Sequence, residues 1–446
     1  MAKKKTKRRT INPPTINPPT INPPTINPQT INLQTIKSHQ PEGIAFQIVI
    51  FVAAFVILFS RRPDALLNPQ FYAEEGALFY PAAYQYGLHS LLLPYGGYLH
   101  TLIRLVALAS QLGPLLRAPL LMNLFAIAVQ ILPVNVFLSS RFSQIPFPTR
   151  LLGSFLYLAV PNSWEIHANL TNVQWHLVLL ACLLLLARPE RHTGWRIFDV
   201  TVLVLTSCSS PIAILLVPVA AVLWWKRRQG WAALSLGLLV PGALLEGLLA
   251  LLSHTRQLAP NGATFDRLIR ILGGQVFFSG LFGMTAQSWF VPRGLFLIGA
   301  IATVVGVAVL GYALRYAPIE LKVFIVFSFA ALVLGLARPL AGPPNLPQWE
   351  YLCVPGRGNR YYFLPMLGFL ASLLWLATRT ASPPKLRYCA IGLLLLLPIG
   401  IFQDWHYPPF TDFDFPRYAA QFEQAAPGTR ITIPINPGMT MEITKR

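Results

Sequence analysis

Ile44-Ala-Phe-Gln-Ile-Val-Ile-Phe-Val-Ala-Ala-Phe-Val-Ile-Leu-Phe-Ser60 decides the fold. The run carries no charge. At 1.5 Å per residue it covers about 25 Å, close to the ~30 Å hydrocarbon thickness of a bilayer. Phe296–Leu310 and Ile391–Phe402 repeat the pattern. In lipid the backbone must satisfy its own polar groups, so such runs are helices. The 446 residues are 54% hydrophobic and only 11% charged, with mean hydropathy +0.52. Soluble domains carry roughly 25% charge, so a soluble enzyme is excluded. The formal charge of +19 comes from 35 Lys+Arg against 16 Asp+Glu. Most of these cations fall in short loops between apolar blocks. There they set topology, and nucleic acid is not an expected partner.

Residues 1–43 are of another kind. Lys3-Lys4-Lys5-Thr6-Lys7-Arg8-Arg9 is a basic cluster. From Thr10 the unit Thr-Ile-Asn-Pro-Pro recurs every five residues, decaying at Thr25-Ile-Asn-Pro-Gln and Thr30-Ile-Asn-Leu-Gln. Paired prolines remove donors and block both helix and ladder, so a disordered, partly polyproline-II tail is expected. Its basic cluster touches anionic lipid or holds the tail in the cytoplasm. No small-residue cleavage site follows Ile44–Ser60, which therefore reads as a retained first span.

Basic short loops recur at Arg141–Arg150, Arg188–Arg196, Lys226–Arg228, Arg315–Lys322 and Arg379–Arg387. With the N-terminus, they are assigned to the cytoplasm. The spans between them are roughly 44–60, 116–138, 151–161, 173–187, 197–207, 211–225, 231–253, 293–314, 321–338, 361–378 and 388–402. An all-α polytopic bundle of about eleven transmembrane helices results. Segments 151–161 and 197–207 are short and fit half-helices lining a cavity. External segments are then 61–115, 162–172, 207–210, 254–292, 339–360 and the C-terminal 403–446. Within Gly97–Leu112, Leu99, Leu102, Ile103 and Val106 share one helical face, and His100, Arg104 and Gln111 another. That pattern fits an amphipathic helix at the interface, with His100 and Arg104 toward an external cavity. The last segment is aromatic and Asp-rich up to Asp414, after which Arg430-Ile-Thr-Ile-Pro-Ile alternates as a strand does.

Acids are scarce, which makes their placement informative. In Phe71-Tyr-Ala-Glu-Glu-Gly-Ala-Leu-Phe-Tyr80, Glu74 and Glu75 are adjacent carboxylates among aromatics. Desolvation and like charge raise the pKa of one of such a pair, which suits a general base. Gly76 would leave room for an acceptor. The plain alternative is a solvated loop pair. A second cluster holds Trp164, Glu165, His167, Asn169, Asn172, Trp175 and His176. Its hydrogen-bonding groups and tryptophan faces suit a sugar, although Trp and His at a headgroup belt need no ligand. Asn169-Leu-Thr also fits a glycosylation sequon. A third cluster, Arg357-Gly-Asn-Arg360-Tyr361, could clamp a phosphate bidentately or merely anchor a span end. Arg267, Arg270 and the intramembrane Glu246 are lesser candidates. No nucleotide, zinc or serine-nucleophile motif stands out. Cys182, Cys208, Cys353 and Cys389 have no metal spacing and read as small apolar residues.

An acidic motif just after the first span, interface helices before the second and a larger loop after the seventh resemble the GT-C glycosyltransferases. These include the protein O-mannosyltransferases and lipid A aminoarabinose transferases, and the resemblance covers about residues 44–402. It implies a GT-C-like bundle in the inner (plasma) membrane of the cell envelope. It also implies a lipid-linked, polyprenyl-phosphate sugar as donor, with no separate cofactor and no metal. The family's catalytic carboxylate maps onto Glu74 or Glu75, with Glu75 slightly favoured. Two departures stand out: Glu-Glu replaces the frequent Asp, and Pro94-Tyr-Gly-Gly-Tyr-Leu-His100 replaces the common Pro-Pro-Leu segment. Outside the cytoplasm, where nucleotide sugars are lacking, the sugar must arrive on a lipid phosphate. The base would then activate a hydroxyl of a glycan, lipid or protein acceptor. Two other classes are compatible with parts of the chain. A transporter or flippase fits the prolines Pro133, Pro218, Pro241 and Pro398 and the buried Glu246, but predicts inverted repeats. A non-catalytic scaffold fits the tail and leaves the polar clusters without a role.

Overall fold

The computed structural model describes residues 43–190, 192–228, 230–252, 259–290 and 296–446. The expected tail, apart from Gly43, lies outside them. All the apolar segments read from the sequence are helical: Ile44–Arg61, Ala118–Leu138, Phe147–Ala159, Val173–Leu186, Thr193–Ser207, Leu216–Arg227, Gly230–Leu252, Phe296–Tyr316, Ile319–Ala337, Asn359–Thr378 and Pro384–Gln403. Among the described residues, eight helices are long and apolar enough to cross a membrane. A ninth is counted if the pair Thr193–Ser207 and Pro211–Arg227, bent by 113°, forms one span. The molecule is a mostly helical, multi-pass membrane protein. Its centre is Asn359–Thr378, 83% of whose most apolar window is buried, against 22% for Ile44–Arg61 and 17% for Pro384–Gln403. The outer helices turn their remaining apolar faces to lipid.

The segment 254–292 departs from expectation. Where it is described it is helical, as Phe265–Ile269, Arg270–Phe278 and Ser279–Phe290, and it is not an open loop. Asp266, Arg267, Arg270 and the Gly273-Gly274 pair dilute its apolar signal. Phe265–Trp289 is one of the eight helices long and apolar enough to cross, but it is not straight. Gly283 breaks it with φ +83°, a conformation costly for any other residue. Beyond the break Gln287 returns, accepting from Ser279 Oγ at 2.7 Å. A Cβ on Gly274 would meet the Gln287 amide at 2.8 Å. The segment therefore doubles back toward its start.

Helix ends inside an apolar bundle leave carbonyls that water cannot reach. Three arginines answer that need. Arg150 Nη1 donates to Leu138 O and Ser139 O, at 2.9 and 2.5 Å. Arg227 donates to Leu185 O, Leu186 O and Ala187 O, at 3.4, 3.0 and 3.3 Å. Arg61 donates to Leu158 O and Val160 O, at 2.6 and 3.1 Å. Each also complements the negative end of a helix dipole.

The basic loops meet at one end of the bundle. Arg188 N donates to Arg141 O, Arg379 to Tyr316 O, and Arg227 pairs with Glu320. The opposite end gathers residues 61–115, 160–172, 339–358 and the C-terminal segment. The amphipathic segment there is a short helix, Thr101–Ser110, about 15 Å long and so half a bilayer. The C-terminal segment folds as a helix, Phe415–Gln424, and an antiparallel hairpin of β1 (Arg430–Ile435) and β2 (Met439–Thr444). The alternation from Arg430 is thus a strand, with Ile433, Ile435, Met441 and Ile443 buried on one face.

Candidate functional site

The hairpin holds the acidic turn in place. Ala73 N donates to Asn436 O at 2.6 Å and Asn436 N to Phe71 O at 3.2 Å. Ala73 itself is left-handed, with φ 47°. A π-helical turn then runs from Glu75 to Phe79. Gly76 serves packing here and offers no room to an acceptor. A Cβ on it would meet Phe71 Cβ at 2.8 Å and Ile435 Cδ1 at 3.0 Å.

The two glutamates have different surroundings. Glu75 is fully buried. Its Oε1 accepts from Leu170 N, and from Thr171 N at 3.0 Å; its Oε2 accepts from Tyr72 N at 3.4 Å. Burial pushes this carboxyl up to about 7, against the pull of those three donors. Glu74 is half-buried. Its charge acts on Tyr72, Tyr95, Tyr98 and Arg360. Of the pair, Glu75 ties the turn to residues 170–171, and Glu74 faces the accessible groups.

Residues 161–172 form a buried polar loop between two helices. Asn162 and Ala168 are left-handed, with φ 53° and 57°. Asn169 Nδ2 donates to Glu165 O and His167 O, at 2.8 and 3.1 Å, and Asn172 Nδ2 to Glu165 O at 2.9 Å. These asparagines satisfy the loop's own backbone. Asn169, fully buried, is closed to glycosylation in the folded chain. His176 Nδ1 meets Tyr157 OH at 2.7 Å. His167 packs between His176 and Tyr407, with centroids at 5.0 and 5.9 Å, and burial lowers its pKa well below the usual imidazole range. Trp175 is buried against Tyr361. Trp164, half-buried, donates Nε1–H to Gly356 O at 2.9 Å.

His100 and Arg104 are also buried and do not face an open cavity. The His100 ring lies 4.1 Å from Tyr98 and 4.9 Å from Phe79, and burial lowers its pKa to about 3. Arg104 lies over Phe79 at 5.1 Å. Aromatic packing outweighs solvation along this helix.

Arg360 is the arginine brought toward Glu74. It pairs with Glu165 and donates to Leu340 O, yet keeps a quarter of its side chain exposed. Tyr361 OH accepts from Leu340 N at 3.0 Å beside it. Arg357 is exposed, over Tyr351 at 5.4 Å. Glu74, Tyr95, Tyr98 and Arg360 thus lie within electrostatic range of one another, and Gln174 joins them, its amide donating to Tyr98 OH at 3.3 Å. Of the lesser candidates, Arg267 pairs with Glu350 and Arg270 with Asp266. Glu246 accepts from Leu99 N at 3.1 Å and so fixes the start of the amphipathic helix.

Several supporting residues escaped sequence reading. Asp404 accepts from Asn162 N at 2.9 Å and Met284 N at 2.7 Å. Gln130 holds Ala168 N at 3.0 Å. Arg62, fully buried, lies over Phe410 at 4.5 Å and donates to Pro408 O at 3.2 Å. A signal for Arg61 and Arg62 was present: two arginines at the span end that charge bias assigns to the outside. No group of acids, histidines and cysteines among the described residues could hold a metal ion.

No family model matches the chain, and no curated protein matches it by sequence. Among solved structures it is similar to that of ArnT from Cupriavidus metallidurans bound to undecaprenyl phosphate. The identity is 14%, over 81% of this chain and 76% of that one, with a TM-score of 0.43.

Proposed function

We propose that the protein is a GT-C-type glycosyltransferase that moves a sugar from a polyprenyl-phosphate donor to an acceptor hydroxyl. Glu74 is the base, Arg360 holds the phosphate, and Tyr95, Tyr98 and Gln174 contact the sugar. Glu74 takes the acceptor proton; the acceptor oxygen attacks the anomeric carbon; the anomeric C–O bond breaks with inversion. The phosphate leaves on its lipid, its charge met by the guanidinium. Glu75 and Glu165 position these groups and take no proton in the reaction. The observation that carries the reading is one half-buried carboxylate within electrostatic range of one partly exposed arginine. Their neighbours Glu75 and Glu165 are committed to the fold. The active mouth is read as facing away from the cytoplasm, with the basic loops inside.

The test is transfer from a labelled polyprenyl-phosphate sugar in membranes. Glu74→Gln keeps the side chain's size but removes the basic carboxylate. A loss of about 10²–10⁴-fold in rate is expected, as for a general base, with donor binding and insertion unchanged. Full transfer by Glu74→Gln would refute the base. Solute movement without transfer by the wild type would replace the enzyme with a transporter.

A further inference from the structure

A cavity of about 560 Å³ opens at the basic-loop end, away from the site above. It lies among the helices Ala118–Leu138, Phe147–Ala159, Val173–Leu186, Ile319–Ala337 and Asn359–Thr378. None of Glu74, Tyr95, Tyr98, Gln174 and Arg360 lines it. Its walls are graded. Leu156, Tyr157, Leu179 and Leu367 at one end are buried. Gln144, Pro146 and Thr378 at the other are exposed. Tyr157 closes the buried end with its hydroxyl already engaged, donating to Gln130 O at 2.6 Å. The Ser154 hydroxyl on the wall is buried without a partner. A water needs two to four polar partners, and the buried end, where Ser154 and the engaged Tyr157 are the polar side chains among leucines, does not offer them. Left empty, an apolar cavity costs stability in proportion to its volume. The chemistry that fits is hydrocarbon.

The dimensions and the rim narrow the occupant. The lining runs along one helix from Thr149 to Tyr157, about 12 Å at 1.5 Å per residue. One leaflet's hydrocarbon is about 15 Å deep. A polyprenyl tail is far longer than one leaflet and cannot be held whole in a pocket of that depth. Cations stand at the rim. Arg379 follows Thr378 and lies over the lining Trp375 at 5.1 Å. Lys322, next to the lining Leu321, donates Nζ–H to Arg315 O at 3.0 Å at the same end, and the one acid on the lining, Glu320, has its charge met by Arg227. We infer that this cavity binds one acyl chain of an anionic phospholipid, from the leaflet the basic loops face, with the lipid phosphate beside Arg379 and Lys322.

Native mass spectrometry of the full chain in detergent tests this, with phosphatidylglycerol, phosphatidylcholine and polyprenyl phosphate offered in turn. The wild type should retain phosphatidylglycerol. Ala371→Trp and Ser154→Leu, each projecting side chain into the cavity, should weaken that retention by about tenfold or more, because excluding even two methylenes costs that much. Arg379→Ala should weaken it and erase the preference over phosphatidylcholine. Equal retention by wild type and both plugged variants would overturn the site. So would phosphatidylcholine binding as well as phosphatidylglycerol, or plugging that displaces only polyprenyl phosphate. Should the plugged variants misfold, bromine-labelled acyl chains decide with the wild type, by quenching the fluorescence lost in Trp375→Phe. Absence of that quenching overturns the proposal. The readout is lipid retention, so it stands or falls apart from sugar transfer.

Discussion

Two arginine–carboxylate pairs mark opposite ends of the bundle, and they differ in what is left over. At the basic-loop end Arg141 makes a fork with Asp199, Nη1 to Oδ1 and Nη2 to Oδ2 at 2.8 Å each, and Nε donates to Arg188 O at 3.1 Å. Side-chain exposures are 6% and 1%. All three guanidinium nitrogens are engaged and both side chains are buried. At the other end Arg360 pairs with Glu165, but 25% of its side chain is exposed, and Glu74 stands within electrostatic range. A closed pair is a bracket between helices. An open pair with a second carboxylate nearby can accept a ligand. A buried ion pair is thus poor evidence of function until its unused faces are counted.

The sharpest way to break this contrast is to remove one partner of the closed pair. Asp199→Ala leaves a buried guanidinium without its counter-charge, which typically costs about 3–5 kcal/mol. Denaturant titration in detergent should show that loss, while transfer per folded molecule stays at wild-type level. A loss of transfer without a loss of stability would mean the bracket at this end also serves the site.

The open pair should respond in the reverse sense. Arg360→Lys keeps the charge but loses the planar fork. Donor-lipid binding should weaken about tenfold, equivalent to ~1.4 kcal/mol, with unfolding little changed. Wild-type binding by Arg360→Ala would remove this arginine from the site and leave the two ends functionally alike.

The bundle was legible because lipid forces each apolar run to be helical, and because basic loops collect at one end. The segment 265–290 was not, since its charges and paired glycines hide its apolar faces and the reversal at Gly283 leaves no periodic trace. The site was half legible. Glu74, Glu75, Glu165 and Arg360 stand out by scarcity of charge. Their division of labour does not, because a polar side chain that satisfies its own loop looks the same in sequence as one that meets a substrate. Asn169 and Asn172 read as sugar contacts for that reason. Asp404 and Asn436 lie hundreds of residues from the turns they hold, and nothing local in the sequence links them.

Glu75 gives the contrast a pH axis. Its carboxyl titrates near 7 in the fold, above an ordinary value of about 4.3. The folded state then holds the proton more tightly than the unfolded one. Stability from this group is full below the unfolded pKa and is lost as pH rises through about 7. The slope approaches about 1.4 kcal/mol per pH unit within that window. Glu75→Gln should flatten it, as read from unfolding midpoints between about pH 4 and pH 8. An unchanged slope would assign the titration to another group and free Glu75 to be the base.

The smallest effect is expected at Arg357, the arginine that sequence reading set beside Arg360. It is exposed, and its ring contact is with Tyr351 at 5.4 Å. An exposed cation–π contact contributes about 0.5–1 kcal/mol. Arg357→Ala should therefore shift the unfolding midpoint by no more than that, and donor binding by less than about threefold. The comparison with Arg360 is useful because the two lie three residues apart, each with a charge and an aromatic neighbour, Arg357 in the exposed turn and Arg360 at the start of the helix Asn359–Thr378. Arg360 is held in place by Glu165, so its guanidinium meets a phosphate without first being ordered. Arg357 would have to give up side-chain freedom to do the same, at about 1.5–2 kcal/mol for a long side chain. Greater loss of donor binding in Arg357→Ala than in Arg360→Ala would show that preorganisation by Glu165 is not what selects the phosphate ligand, and the open pair would become a second bracket.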